Sequence, residues 1–293
     1  MKMNRKQRRA QGKGSRFAVP AVKDLSETFR EQLDQLALLG GFANHVSMEL
    51  TGLPTTPNGA LASAVFAKCC AHARSITAVT HSSMFDHHTI MVLARMIMEA
   101  STMIAYLLDP VGPEEQAFRN VLLRLHDTVS RIKLLRAFEQ TGDDLRAGRD
   151  ALRSEIEAHP SFRRLPEDRR KRLDGGEEMF AIGMRAVAIR IMGWNETKFS
   201  GIYAYFPAHT HSAPMSFIRM ADHQIDYFYP SKAQIDILAL SMEVAMACLR
   251  RSMLRMIDQH PVRIEAYHPE LLAEARDQDE SSVFFSSTTT RTG

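Results

Sequence analysis

Cysteine is scarce in this chain, with three in 293 residues. Cys69 and Cys70 are adjacent and Cys248 stands far from both, so there is no C-x-x-C pair and no disulfide framework. A reducing, cytoplasmic setting is the expected one. An excess of one charge is also missing: the formal net charge is +3, too small at this length to create a general field for nucleic acid. No alternating apolar–polar run bounded by turn residues occurs, which excludes a sheet-based architecture. No charged-then-apolar signal segment opens the sequence, in keeping with a cytoplasmic location. H-E-x-x-H is absent, and E-x-x-H occurs only at Glu265 and His268. Neither a zincin nor a di-iron carboxylate bundle is therefore expected, and no metal or cofactor is assigned.

What is present is helical periodicity. Apolar positions recur at three-to-four spacing over 22–39 and stop at Gly40-Gly41. An Ala-rich helix follows over 58–80, then an apolar one over 85–108 that ends before Pro110. Pro113 and two glutamates open a helix running to about 139. Residues 177–192 and 195–206 read as helices separated by Gly193-Trp194, and 231–259 as a long helix with Ser231 as N-cap. The predicted fold is all-α, a single multi-helix bundle over 21–262, with a strongly charged helical excursion at 143–176. Seventeen methionines fall largely on the apolar faces of these helices, where the thioether fills gaps in a core. Residues 1–20 form a basic arm with seven Lys/Arg and no acid, expected to be disordered and able to touch RNA phosphates without sequence preference. Its "GKGS" lacks the leading glycine and preceding strand of a P-loop. Residues 263–293 form a C-terminal extension, Ser/Thr-rich at its end and expected to be mostly disordered.

The stretch Thr89–Leu108 is almost long and apolar enough to span a bilayer, but Arg95 and Glu99 sit in its middle. Each charge would cost roughly 2.5–3.5 kcal/mol at a membrane centre, so a core helix of a bundle explains the segment better and no membrane is assigned. Four residues apart, Arg95 and Glu99 share one helix face. On a helix with little polar surface they are expected to be buried and paired, either as an internal ion pair or as the polar centre of a ligand site.

A second candidate is "FSGIYAYFPAHTHSAP", residues 199–214, in which Tyr203, Pro207 and His211 are four apart. Pro207 is expected to end or kink the helix near Phe206, leaving His209 and His211 in a turn. A third is the run His81, Asp86, His87, His88, which lacks metal-ligand spacing. It reads as a helix start capped by Ser83 or Asp86, with the histidines partly exposed. Arg-x4–6-His pairs of the kind carried by HEPN-type ribonucleases also occur, the most family-like being Arg119 to His126. Five such pairs occur, too close to the number that the abundance of the two residues gives by chance to be a signal.

"LARMIMEASTMIAYLLD" with "GIYAYFPAHTHSAP" resembles a bacterial all-helical family known only as a domain of unknown function. Three places carry the likeness. One is a small-residue helix with Ser75, and the next is an Arg-x-x-x-Glu helix followed by Tyr-Leu (Arg95, Glu99, Tyr106, Leu107). The third is a Tyr-x-x-x-Ser-x-x-x-His-Ser pattern, here Tyr203, Pro207, His211 and Ser212, so that proline stands where the family has serine. The resemblance spans about 57–260. It implies an all-α fold with no assigned reaction, and it places Arg95 and Glu99 opposite Tyr203 and His211. Such a set can do acid–base chemistry or form a packing network.

The first functional expectation is an interaction or regulatory protein, a homo-oligomer whose polar cluster is structural. A ligand sensor using the same polar cluster is close to it. The alternative is a metal-independent HEPN-like ribonuclease of stress response or phage defence. There His211 (or His126) would act as base and Arg95 (or Arg119) would stabilise phosphate charge.

Overall fold

A computed structural model describes residues 27–53, 55–81, 86–211, 213–218, 220–260 and 269–286. The basic arm, Ser83, Ser212, Glu265, His268 and the last seven residues lie outside the described residues. Among the described residues the fold is all-α, with one isolated bridge between Trp194 and Phe285.

The elements in chain order are α1 (Glu27–Leu50), α2 (Pro57–Thr80), α3 (His87–Leu108), α4 (Pro113–Ala137), α5 (Asp143–Ala158) and α6 (Pro160–Arg163). They continue with α7 (Glu167–Asp174), α8 (Met184–Val187), α9 (Glu196–Thr210), α10 (Pro214–Ile218), α11 (Lys232–Ile257) and α12 (Pro269–Glu280). Contacts divide the chain into two compact units, Met1–Leu108 with Gly193–Gly293, and Asp109–Met192.

Local chemistry sets many of the boundaries. The Thr56 hydroxyl accepts from the Gly59 N–H at 3.0 Å and Pro57 occupies the first helical position of α2. Pro113, Glu114 and Glu115 open α4, where proline's missing N–H is harmless and carboxylates face the positive end of the helix dipole. At α11 the Ser231 hydroxyl accepts from the Gln234 N–H at 3.2 Å, as its sequence position predicts.

In the first unit, α3 packs against α2 and α11, α1 lies on α2 and α11, and α9 lies on α3. Ile90, Met91, Ala94, Ile97, Met98 and Ile104 of α3 are buried. Among the described residues α3 is the helix long and apolar enough to cross a membrane, and 61% of its most apolar window is buried inside the fold. Such burial is the mark of a core helix. Ser101 of α3 donates to the Cys248 carbonyl of α11 at 2.6 Å and meets the Ser252 hydroxyl, so small residues let the two backbones approach.

Three expectations need correction. α1 does not stop at Gly40-Gly41 but runs on to Leu50. Interior glycines cost about 1 kcal/mol each in a helix, and burial of Phe42, Ala43, Val46 and Leu50 offsets that cost. The helix expected over 177–192 is confined to α8 and a π-helical turn, Ala188–Met192, after Gly183 at φ 81°. Finally, residues 269–286, inside the extension expected to lack order, form α12 and a strap against Trp194. The Asn195 N–H donates to the Phe284 carbonyl and the Ser286 N–H to the Gly193 carbonyl, both at 2.9 Å. Arg251 of α11 grips Asp279 through two guanidinium nitrogens, the shortest bond 2.8 Å, and stacks 3.6 Å over the Phe285 ring.

The second unit packs α4 on α5 through Phe118, Leu122, Leu125, Leu152 and Ile156, with Phe162 and Leu173 closing the core. Its charged segment keeps this apolar stripe inward and its Arg, Asp and Glu side chains largely outward.

Arg251 and Asp279 are only 12% and 15% exposed, so removing the carboxylate takes a double-nitrogen ion pair away from a nearly buried cation. Asp279→Ala is expected to destabilise the chain by about 3 kcal/mol, read as a lower urea midpoint. Arg276→Ala, whose pair with Asp258 is exposed, should change it by less than about 1 kcal/mol.

Candidate functional site: three histidines at a cavity

Asp86 caps α3. Its carboxylate accepts from the Thr89 N–H at 3.1 Å and from the Thr89 hydroxyl at 2.5 Å, which puts His87 and His88 in the first turn. Of the two caps named from the sequence, Asp86 makes this bond, while Ser83 lies outside the described residues. At the far end of α9, His209 points to the same place. α9 carries Pro207 in its interior and still runs to Thr210, past the break expected at Phe206. The lost hydrogen bond falls in the last turns, where the His211 N–H donates to the Pro207 carbonyl at 2.9 Å and buried Phe206 holds the helix down.

The three imidazoles form one cluster. Ring centroids of His87 and His88 are 3.9 Å apart, and His209 lies 5.9 Å from His87 and 5.0 Å from His88. The Nδ1 atoms of His88 and His209 are 2.8 Å apart. That distance requires one proton between them, one ring donating Nδ1–H to the lone pair of the other. Nε2 of Gln234 on α11 lies 3.4 Å from His87 Nδ1. The Tyr205 ring meets His209 edge-on at 4.9 Å, and the Tyr227 ring stands 6.3 Å from both His87 and His88. His87 is 1% exposed and His209 9%. The expectation of partly exposed histidines at this helix start therefore holds for His88 and is corrected for His87, because tertiary packing covers the first turn.

Burial drives the electrostatics. It pushes His87 down to about 4, helped by neighbouring His88 and His209. His209 is likewise pushed down to about 4 by burial and His88. His88 is lowered by burial against the opposing pull of the Asp86 carboxylate. The positive end of α3 also disfavours imidazolium in its first turn. At neutral pH the cluster is three uncharged rings with nitrogen lone pairs to offer. It borders a cavity of about 270 Å³ whose polar wall includes His87, His209, His223 and Tyr205 and whose apolar wall includes Met215, Met220 and Ile237.

The residues singled out from the sequence sit elsewhere. Arg95 and Glu99 pair at 2.8 Å on a flank of α3 that is 18% and 35% exposed at these side chains, so they are half-buried rather than enclosed. Arg95 lies over the Tyr203 ring at 5.7 Å, and Tyr203 stacks on Phe199. This brings together three of the four residues expected to face one another. His211 is exposed at the end of α9, and it is His209, two residues earlier, that turns inward. In the second unit Arg119 pairs with Glu115, and His126 Nδ1 is 2.9 Å from the Gly176 carbonyl, an arrangement that secures the loop after α7.

The histidine cluster was not legible as a unit. "DHH" and "PAHTH" each lack ligand spacing, and His88 and His209 meet across 121 positions of sequence. The two histidine-rich stretches were the available signal. Nothing local joins them.

The chain belongs to the family of unknown function DUF5677, whose model matches residues 59–228. No curated protein and no solved structure matches it. The matched segment contains His87, His88 and His209, together with Arg95, Glu99 and Tyr203.

Neutral burial of His87 and His209 has a definite sign. Their folded values lie below the ordinary histidine value of 6.5, so unfolded chains bind more protons as pH falls. The stability they contribute is complete above 6.5 and is lost between 6.5 and about 4. The melting temperature of chelator-treated protein should fall over that range, and His209→Asn should flatten the fall. A flat profile in the wild-type chain would contradict neutral burial.

Proposed function

We propose that this protein is a ligand-responsive regulatory or interaction protein, with the histidine-lined cavity as its effector site. One observation carries the reading. A cavity of about 270 Å³ is lined by the start of α3, the end of α9, α10, the turn that follows it and the first half of α11. Ligand pockets are concave, mostly apolar and set with a few converging polar groups, and this one combines imidazoles and a phenol with methionine and isoleucine. Its volume suits a metabolite-sized molecule bearing one group that hydrogen-bonds to imidazole. Because the wall is built from several elements, an occupant would tie together segments that lie far apart in sequence. Self-association, and contact of the basic arm with RNA, belong to this reading as routes by which a bound state would be passed on.

The alternative is a HEPN-like ribonuclease, which requires an arginine available to phosphate. Arg95 is engaged by Glu99 and lies over Tyr203, Arg119 is engaged by Glu115, and His126 is tied to Gly176. These engagements favour the binding role. RNA integrity on expression of the wild type and of Arg95→Ala separates the two, since a nuclease would degrade RNA in the first case only.

The effector reading is tested by a thermal-shift screen with small carboxylates, nucleosides and aromatic fragments against wild type and Ile237→Phe, a substitution that fills the cavity. At least one compound should raise the wild-type melting temperature by several degrees and leave the filled variant unmoved. Equal shifts in both proteins, or none in either, would sink the proposal.

A further inference from the structure

We infer that His87, His88 and His209 form a site for a divalent transition-metal ion, with an open coordination position facing the cavity. The inference deepens the effector reading and rests on it in one respect only, that the open position meets the same cavity. The geometry is the first support. Each of the three residues offers one imidazole nitrogen, and these atoms all lie within 4.8 Å of one another. A tetrahedral ion with nitrogen ligands at about 2.0–2.1 Å holds them roughly 3.3 Å apart. Small side-chain rotations close that gap.

A second, independent observation points the same way. His209 is more than nine-tenths buried, and its Nε2 has no hydrogen-bond partner among the described residues. A buried polar atom without a partner costs about 1–3 kcal/mol, and such an atom in the wall of a cavity is accounted for by an occupant that bonds to it. The His88–His209 bond uses the one lone pair of whichever neutral ring accepts it, so an ion that takes both rings displaces that bond, after which each ring can turn a lone pair to the ion.

The donor set selects the class of ion. Three imidazoles and no carboxylate suit zinc, copper, nickel or cobalt and disfavour magnesium and calcium, which take oxygen ligands. Ligating histidines characteristically donate their other ring N–H to a fixed acceptor. Gln234 stands beside His87 Nδ1, and with its amide oxygen turned to the ring it would direct His87 Nε2 toward the ion. Three protein ligands leave a fourth position for water or for a donor atom of the cavity's ligand.

The test uses the full chain, stripped with chelator and titrated with Zn²⁺ by calorimetry and with Co²⁺ by visible absorption. One ion per chain is expected, with the absorption of four-coordinate cobalt. His88→Gln and His209→Gln should each weaken binding by more than the ~10–100-fold that follows loss of an outer-shell partner. Gln234→Leu should fall within that range, and His81→Gln, whose ring bonds the Thr77 carbonyl and is not among the three ligands, should bind as wild type. Far-UV circular dichroism establishes that each variant is folded. Zinc binding that the His88→Gln/His209→Gln double variant shares with wild type, or no binding to wild type, overturns the site. Metal binding in a protein that responds to no small molecule would sink the effector cavity and leave the metal site standing. A small-molecule response without metal binding would do the reverse.

Discussion

The close packing of α3 against α11 is the constraint on which the rest of the first unit depends. Ser101 donates to the Cys248 carbonyl at 2.6 Å, and Ser252 donates to the same carbonyl at 2.8 Å from within α11. A hydroxyl this deep must find a partner or carry its full desolvation cost, so the bond sets the register of the two helices as well as their spacing. That register determines what the ends of α3 can reach. A slip of one turn, about 5.4 Å, would take His87 and His88 out of range of His209 and Gln234 and would separate Arg95 from Tyr203.

The two polar clusters on α3 differ because their surroundings differ. Arg95 and Glu99 lie on a partly wetted flank, where an i,i+4 ion pair is worth about 0.3–0.5 kcal/mol. Their mutual neutralisation leaves little charge to offer a ligand. His87 and His209 are buried by the fold, and there the cheaper state of an imidazole is the neutral one. Neutrality preserves lone pairs, and lone pairs are what a metal or a hydrogen-bond donor seeks. Free lone pairs are therefore on offer at the buried histidines, while Arg95 and Glu99 engage one another beside Tyr203.

Much of the architecture was legible. The caps at Asp86 and Ser231, proline at the start of α4 and the apolar stripe of α3 are local signals, and each falls where the structure uses it. Gly40-Gly41 and Pro207 misled for a common reason. A glycine or proline taxes a helix locally by one to a few kcal/mol, while the faces of α1 and α9 bury enough apolar surface to continue past them. Residues 269–286 misled because their anchors, Arg251 and Trp194, lie far away in sequence. The candidate site was legible only in fragments: Arg95, Glu99 and Tyr203 do come together, but the inward-facing histidine of the "PAHTH" stretch is His209 and not His211.

The sequence by itself determined the all-α class and the course of most helices, because periodicity, caps and composition act over a few residues at a time. Only the tertiary structure decided which histidines share a cavity. Their meeting depends on the register of α3 against its neighbours and on the persistence of α9 beyond a proline. Both follow from burial summed over whole helix faces, a quantity that no short stretch of residues contains.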